Sequence, residues 1–241
     1  MSKKITLVFG GRRGIGAASV QKLAESGYDA AYTYVSSAPN VLAKIGSATT
    51  RGYEADTCEP AQVAQVLANV ARDFGSMPHC VVANAGIKRA DGTDGCFRPR
   101  VLPQADGSEH RGRLQLGQRC RQKRCGRWQH HRADHHSMVR VAVLGGCPST
   151  ANRAAVESLL LLLSEELALR KIRVNGVAPG PVDTDLFRAG KDEAIIARSG
   201  GMSPFNRVGQ PDEAAEVVAF LASDKASWTH GQIIQQNGDM V

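Results

Sequence analysis

Apolar positions in this 241-residue chain fall in short dense runs, set between longer stretches where they recur every three or four residues. Ile5, Leu7, Val8 and Phe9 read as a buried strand, and Ala17 to Ser26 as a helix behind a glycine turn. Asp29 to Val35 alternates and predicts a second strand, Val41 to Ile45 a short helix, and Gly52 to Ala55 a third strand. Pro60 to Phe74 carries Ala64, Leu67, Val70 and Ala71 on one helical face, with proline at the helix start. Cys80 to Ala83 is an apolar strand running into the polar turn Asn84-Ala85-Gly86. Further on, Leu159 to Leu169 predicts a helix, Ile172 to Ala178 a strand, Asp183 to Gly201 a mobile polar segment, Pro211 to Ser223 a helix and Ile233-Ile234 a last strand. Strands alternating with helices at this rhythm imply an α/β fold: one doubly wound parallel sheet of Rossmann type, covered on both faces, in a single domain over 1–241. His79 and His230 stand at strand starts, where structural roles are expected.

Between Lys88 and Ser137 the pattern fails. Only Phe97, Val101, Leu102, Leu114, Leu116 and Trp128 are large and apolar, too few for a long helix and a buried strand, so 88–137 is expected to be irregular. The charge sits in the same place: twelve basic and five acidic residues there account for the whole formal net charge of +7, leaving eighteen of each sign elsewhere. A basic face serving the whole fold, and with it a nucleic-acid partner, is not expected, since no aromatic platform accompanies the arginines. Cys120, Cys125, His130, His131, His135 and His136 suggest zinc ligands, but four residues between Cys125 and His130 fall short of the roughly twelve a two-Cys, two-His finger uses, and no metal is expected. The reading adopted is a stretch out of frame. Trp128-Gln129-His130-His131 written TGG CAG CAT CAT and moved one base, with C following, reads Gly-Ser-Ile-Ile, which restores an apolar strand.

The longest strongly apolar run, Leu159 to Leu163, is far too short to span a bilayer, and Met1-Ser2-Lys3-Lys4 has no signal region behind it, so a cytoplasmic protein with no membrane partner is expected. Six cysteines at irregular spacing suggest free thiols rather than a disulfide framework.

The chemistry gathers at the strand ends, where ligands of parallel sheets bind and where Gly10, Ser36, Asp56 and Asn84 all fall. Gly10-x-x-x-Gly14-x-Gly16 lets backbone approach a pyrophosphate, and the following helix offers unpaired N–H groups. No acid ends the second strand to take a ribose 2′-hydroxyl, whereas Arg13, Ser36 and Ser37 can surround a 2′-phosphate; NADP is therefore preferred over NAD.

With Asp56 after the third strand, Asn84-Ala85-Gly86, Pro179-Gly180-Pro181-Val182-Asp183-Thr184, Gly209 to Ala214 and Gly231 to Ile234, the chain resembles the short-chain dehydrogenase/reductases, of the kind that includes 3-oxoacyl-[acyl carrier protein] reductases. The likeness covers 1–87 and about 138–241. It implies a Rossmann-type fold with cofactor contacts from Gly10, Arg13, Gly14, Ile15, Gly16, Ser36, Ser37, Asp56, Asn84, Ala85, Gly86, Arg153, Pro179, Gly180, Val182 and Thr184. In that pattern Asp56 reaches the adenine, Asn84 supports the turn beside the ribose, and Val182 and Thr184 flank the nicotinamide. The family usually has Thr before the first glycine to brace the turn; this chain has Phe9, which can only pack.

The resemblance also implies NADP(H)-dependent reduction of a carbonyl or oxidation of a secondary alcohol, a small-molecule substrate, and a homodimer or homotetramer if the middle folds. Its catalytic helix carries Tyr-x-x-x-Lys, preceded by a carbonyl-binding Ser. Here Ser149 stands for Tyr and Arg153 for Lys, with Ser137 in the place of the Ser. Serine is far too weak an acid to replace the Tyr, and arginine presents its charge in another geometry. Losing a general acid costs roughly 10²- to 10⁴-fold, so little activity is expected as written. The alternative is a non-catalytic NADP-binding or interaction protein that has lost its proton donor.

Overall fold

The computed structural model describes residues 3–36, 44–85, 127–131 and 147–239, with the backbone alone over 127–131 and 147–156. In chain order these form β1 (Ile5–Phe9), α1 (Gly14–Glu25), β2 (Asp29–Tyr34), β3 (Lys44–Ile45), β4 (Ala48–Glu54), α2 (Pro60–Phe74), β5 (Cys80–Ala83), β6 (Arg127–His131), α3 (Cys147–Ala168), β7 (Gly176–Pro179), α4 (Asp185–Arg188), α5 (Glu193–Gly200), α6 (Pro211–Ala222), a 3-10 turn (Asp224–Ala226) and β8 (Ile233–Gln236).

Successive side chains of a strand point to opposite faces, and β1 has a helical layer on each. Ile5, Leu7 and Phe9 enter a core closed by Val63, Leu67 and Val70 of α2 and Leu160, Leu163 and Leu167 of α3. Val8 enters the opposite core, with Val20 and Leu23 of α1 and Val218 and Leu221 of α6. Each such aliphatic side chain contributes about 1.5–3 kcal/mol by leaving water. Two-sided burial is what leaves all five residues of β1 below solvent reach.

Among the described residues, eight strands make one sheet in the order β3-β4-β2-β1-β5-β6-β7-β8, parallel throughout except for β3 with β4. The order reverses at β1, with β2 and β4 on one side and β5 onward on the other. That reversal opens a crevice outside the C-terminal ends of β1 and β5, the usual ligand position in doubly wound sheets.

Several expectations change at their edges. Lys44-Ile45 is not helical. It pairs antiparallel with Ala48-Thr49 across Gly46-Ser47, a two-residue turn that Gly46 closes at φ +57. The third strand starts at Ala48, four residues earlier than Gly52, because Ala48, Thr50 and Tyr53 all turn inward. The strand predicted over Ile172 to Ala178 is β7, shifted toward Pro179. Asp183 to Gly201 is built as α4 and α5 around buried Phe187, Ile196 and Val208. Within the stretch expected to be irregular, Arg127–His131 runs as β6, hydrogen-bonded in parallel to β5 and β7. A slot between two strands satisfies backbone N–H and C=O groups whatever side chains pass through it. The rest of 88–137 lies outside the described residues, as do Cys120, Cys125, His135 and His136 of the metal reading.

At the far, N-terminal edge of the sheet, the Ile5 N–H donates to His79 Nδ1 and the Val174 N–H to His230 Nδ1, both at 3.1 Å. Both histidines are structural, as their positions suggested. Among the described residues, no helix is long and apolar enough to cross a membrane.

Candidate functional site

The site begins where β1 gives way to α1. Gly10 takes φ +73, and its N–H donates to the Thr33 hydroxyl at 3.0 Å, while the Gly11 N–H donates to the Thr33 carbonyl at the same distance. The brace that Phe9 cannot supply therefore comes from β2, and Phe9 is wholly buried in the core. Thr33 is itself 1% exposed, so the turn is held from below.

The glycines are demanded by contact as well as by torsion. A Cβ on Gly10 would lie 2.8 Å from the Ala85 Cα, and one on Gly11 would lie 2.5 Å from the Tyr32 Cβ. A Cβ on Gly16 would overlap the Gly10 carbonyl oxygen and come 2.5 Å from Asn84 Nδ2. Gly14, at φ +52, sits against Thr184, whose Cγ2 would lie 3.1 Å from an added Cβ. Three chain segments, 10–16, 84–85 and 182–184, thus meet with no room for a side chain between them.

α1 begins without a side-chain cap: Arg13 at its N-cap accepts no hydrogen bond from the first turn. Helix geometry leaves the N–H groups of Gly14, Ile15 and Gly16 without intrahelical acceptors, and the helix dipole adds partial positive charge there. Asn84, 8% exposed, donates through Nδ2 to the Gly10 carbonyl at 3.0 Å, yet its Oδ1 is buried with no partner among the described residues. An uncapped helix end, a glycine cradle that any Cβ would fill and an orphaned amide oxygen fit the diphosphate and ribose of a dinucleotide.

Along the sheet edge toward β4, Asp56 caps its own turn, its Oδ1 accepting the Cys58 N–H at 2.8 Å. The Gln62 side chain accepts the Asp56 N–H at 2.8 Å. Ser36 is exposed at the end of β2, and Arg12, not Arg13, donates to its carbonyl. Arg12 was missed in the sequence although it adjoins Arg13; its reach became visible only when the turn placed it over β2. Burial of the Tyr32 ring, which lies against Gly52, pushes its phenol up.

Toward β7, Pro179 ends the strand, and a Cβ on Gly180 would lie 2.9 Å from the Asn237 Cα. Val182, 7% exposed, packs with Ile15 and Ala214, joining α1 to the start of α6. Thr184 caps α4, its hydroxyl accepting the Phe187 N–H at 3.1 Å. Arg188 grips Asp183 through Nε at 2.6 Å and Nη2 at 2.9 Å, which holds the Asp183 carboxyl below the usual carboxylate range. Gly10, Arg13, Gly14, Ile15, Gly16, Ser36, Asp56, Asn84, Ala85, Pro179, Gly180, Val182 and Thr184 all lie along this one edge. Ser37, Gly86 and Ser137 lie outside the described residues, and Ser149 and Arg153 are placed only as positions in the first turns of α3.

Comparison with known proteins agrees with this layout. A family model described as "short chain dehydrogenase" matches residues 4–97, and one described as "Enoyl-(Acyl carrier protein) reductase" matches 136–239. A short-chain type dehydrogenase/reductase of Picea abies is 33% identical over 99% of this chain and 92% of its own length. A chloroplastic NADPH-dependent aldehyde reductase 2 of Arabidopsis thaliana is 30% identical over 99% and 94%. The 3-oxoacyl-[acyl-carrier-protein] reductase of Salmonella typhimurium is 33% identical over 98% and 97%. The solved structure of a short-chain dehydrogenase/reductase from Serratia marcescens superposes with a TM-score of 0.86, at 27% identity, over 98% of this chain and 97% of that one.

Proposed function

The chain belongs to the short-chain dehydrogenase/reductase family of oxidoreductases, and on that premise we propose that it holds NADP(H) along the C-terminal edge of its sheet and acts on a small carbonyl compound or the matching secondary alcohol. The observation that carries this reading is the glycine cradle: at Gly10 and Gly16 a side chain would displace the backbone of the neighbouring turns, at Gly14 it would press on the Thr184 side chain, and the α1 terminus beside them has no side-chain cap of its own. Arg12 and Arg13 give the adenosine end its positive charge, Asp56 its polar wall, and Val182 with Thr184 the flank of the nicotinamide. NADPH, when bound, supplies a hydride. The chain's own residues must then bind the carbonyl oxygen and deliver a proton to it.

For that second task the sequence offers Ser137, Ser149 and Arg153. Ser149 in place of a phenol has no proton to give near neutral pH, and Arg153 keeps a charge that steers ribose without matching the point charge of a lysine. The protein as written therefore binds the cofactor and turns substrate over slowly or not at all, the behaviour of a dinucleotide-binding protein that has lost its proton donor. The out-of-frame reading is kept for 88–137, of which the two family models match 88–97 and 136–137 and leave 98–135 unmatched. Leu161 and Leu162, 50% and 60% exposed on α3, supply an apolar face for self-association into a dimer or tetramer. We place the protein in the cytoplasm.

NADPH titration followed by a turnover assay on carbonyl substrates tests the proposal. Saturable NADPH binding is expected, with turnover that rises by roughly 10²-fold or more in the double variant Ser149→Tyr/Arg153→Lys. Absence of NADPH binding in the folded protein sinks it.

A further inference from the structure

Val182, Asp183 and Thr184 form a strap that hangs between β7 and α4, and a strap of three residues needs something to hold it against α1. β7 ends at Pro179, and the segment regains helical support only at Asp185. Gly180 is still held by β8, its N–H donating to the Gln236 carbonyl at 3.0 Å; beyond it, among the described residues, the backbone of Pro181 to Asp183 is tied to Gly209. The Gly209 N–H donates to the Pro181 carbonyl at 2.9 Å, the Asp183 N–H donates to the Gly209 carbonyl at 2.8 Å, and Val182 and Gly209 form an isolated parallel bridge.

Gly209 in turn is the last residue before a tightly charged helix start. The Gln210 N–H donates to Glu213 Oε2 at 2.7 Å, and the Glu213 N–H returns a bond to the Gln210 carbonyl at 3.1 Å. Arg207 straddles the same carboxylate, Nη1 on Oε2 at 2.8 Å and Nη2 on Oε1 at 2.6 Å, and its Nη1 also donates to the Val208 carbonyl at 3.2 Å. The carboxylate thus fixes the chain on both sides of Gly209, through Arg207 before it and Gln210 after it. Bidentate pairing of this kind sets direction as well as energy. The next residue along, Ala214, is wholly buried against Val182 and Ile15, so the helix start and the strap share one contact with α1. The pair itself is 53% and 40% exposed and touches neither the glycine turn nor the crevice, so a simple cap on α6 is the plainer role to set against this one.

We propose that Glu213, clamped by Arg207, is a positioning residue for the nicotinamide end of the cofactor: by fixing Gly209 it holds Val182 to Thr184 in place across the first turn of α1. The inference rests on the NADP(H) reading above. It differs from a cap in what it affects. A cap supports α6 and the whole fold alike, whereas the strap borders the nicotinamide half of the crevice and touches the glycine turn only at Gly14 and Ile15; the adenosine half is built from Arg12, Ser36 and Asp56, on the other side of β1.

The test uses the full-length protein and two ligands, NADPH and 2′-phospho-ADP-ribose, which keeps the adenosine phosphate and diphosphate but lacks the nicotinamide. In Glu213→Ala the Kd for NADPH is expected to rise about fivefold or more while that for 2′-phospho-ADP-ribose changes less than about twofold, with Glu213→Gln, which keeps an acceptor for the Gln210 N–H, falling between. Equal weakening of both ligands, or no change in either, overturns the proposal and leaves Glu213 a cap. If Glu213→Ala does not fold, Arg207→Gln carries the same comparison from the more exposed partner. Failure of the unaltered protein to bind either ligand overturns the NADP(H) reading itself, and this inference with it.

Discussion

The Thr33 hydroxyl accepts the N–H of Gly10 at 3.0 Å, across 23 residues of sequence, and this bond braces the glycine turn at the C-terminal edge of the sheet. Removing the acceptor while keeping the shape leaves a backbone N–H of the turn unpaired. Thr33→Val is expected to lower stability by about 1–3 kcal/mol, read as a drop in the urea midpoint at unchanged slope. A midpoint equal to that of the unaltered protein would mean that the turn closes without the hydroxyl.

Gly16 and Gly27 separate space from torsion. An added methyl at Gly16 would overlap the Gly10 carbonyl oxygen, whereas Gly27, at φ +89, has nothing within 4 Å of an added Cβ. Gly16→Ala is expected to abolish NADPH binding and cost about 3 kcal/mol or more, while Gly27→Ala costs about 1 kcal/mol through strain alone and leaves binding intact. Calorimetric titration with paired denaturation curves checks both.

Arg12 reaches the end of β2 at Ser36, and Arg13 stands at the N-cap of α1. Arg13→Ala is expected to weaken NADPH by about tenfold or more, with NADH unchanged, as loss of one charge-assisted phosphate contact implies. Arg12→Ala should act in the same direction and also release the Ser36 carbonyl. Fluorescence titration with both cofactors reads the ratio, and equal losses for NADH and NADPH in both variants would count against a 2′-phosphate site.

Glu213 carries a pH signature. Its bonds from Arg207, and then from the Gln210 N–H, pull its pKa from 4.5 down to about 2 in the folded protein. A carboxylate with a lowered folded pKa contributes stability that is whole above the unfolded value and fades as pH falls from about 4.5 through about 2. Glu213→Gln should therefore narrow its stability gap from the unaltered protein steadily across that window, in denaturation midpoints measured from pH 6 downward. Because the pair is half exposed, raising the salt concentration should shrink the gap at pH 6.

Much of this edge was legible because its requirements select residue types. Positive φ favours glycine at Gly10 and Gly14, backbone contact with Ala85 demands it again at Gly10, and the crossover rhythm leaves only a parallel sheet to place them on. The amphipathic period of Pro60 to Phe74 likewise gave α2 to the residue. What escaped was carried by tertiary distance. A threonine inside an alternating strand reads as β-prone whether or not its hydroxyl braces a turn, so Thr33 gave no sign. Lys44-Ile45 is too short to show any period. Gln210 and Glu213 stand three apart ahead of an apolar run, the spacing of a capping box, but the arginine that clamps them reaches in from the preceding loop. For Ser149 and Arg153 the sequence remains the whole ground of the chemistry, since their side chains lie outside the described residues.

Between β5 and β7 the sheet is joined, among the described residues, by β6 alone. Elsewhere the two halves meet in both helical layers: α1 lies on α6, with Val20 and Leu23 against Val218 and Leu221, and α3 lies on α2 and β1, with Leu160, Leu163 and Leu167 against Leu67, Val70 and Leu7. At the strand ends Ile15 touches Val182 and Ala214. A dinucleotide seated along that edge would lie across the seam between the halves and act as a staple. Held at a hundred times its Kd, such a ligand adds about 2.7 kcal/mol against unfolding. Melting temperature then reports occupancy of this edge directly, without a turnover assay.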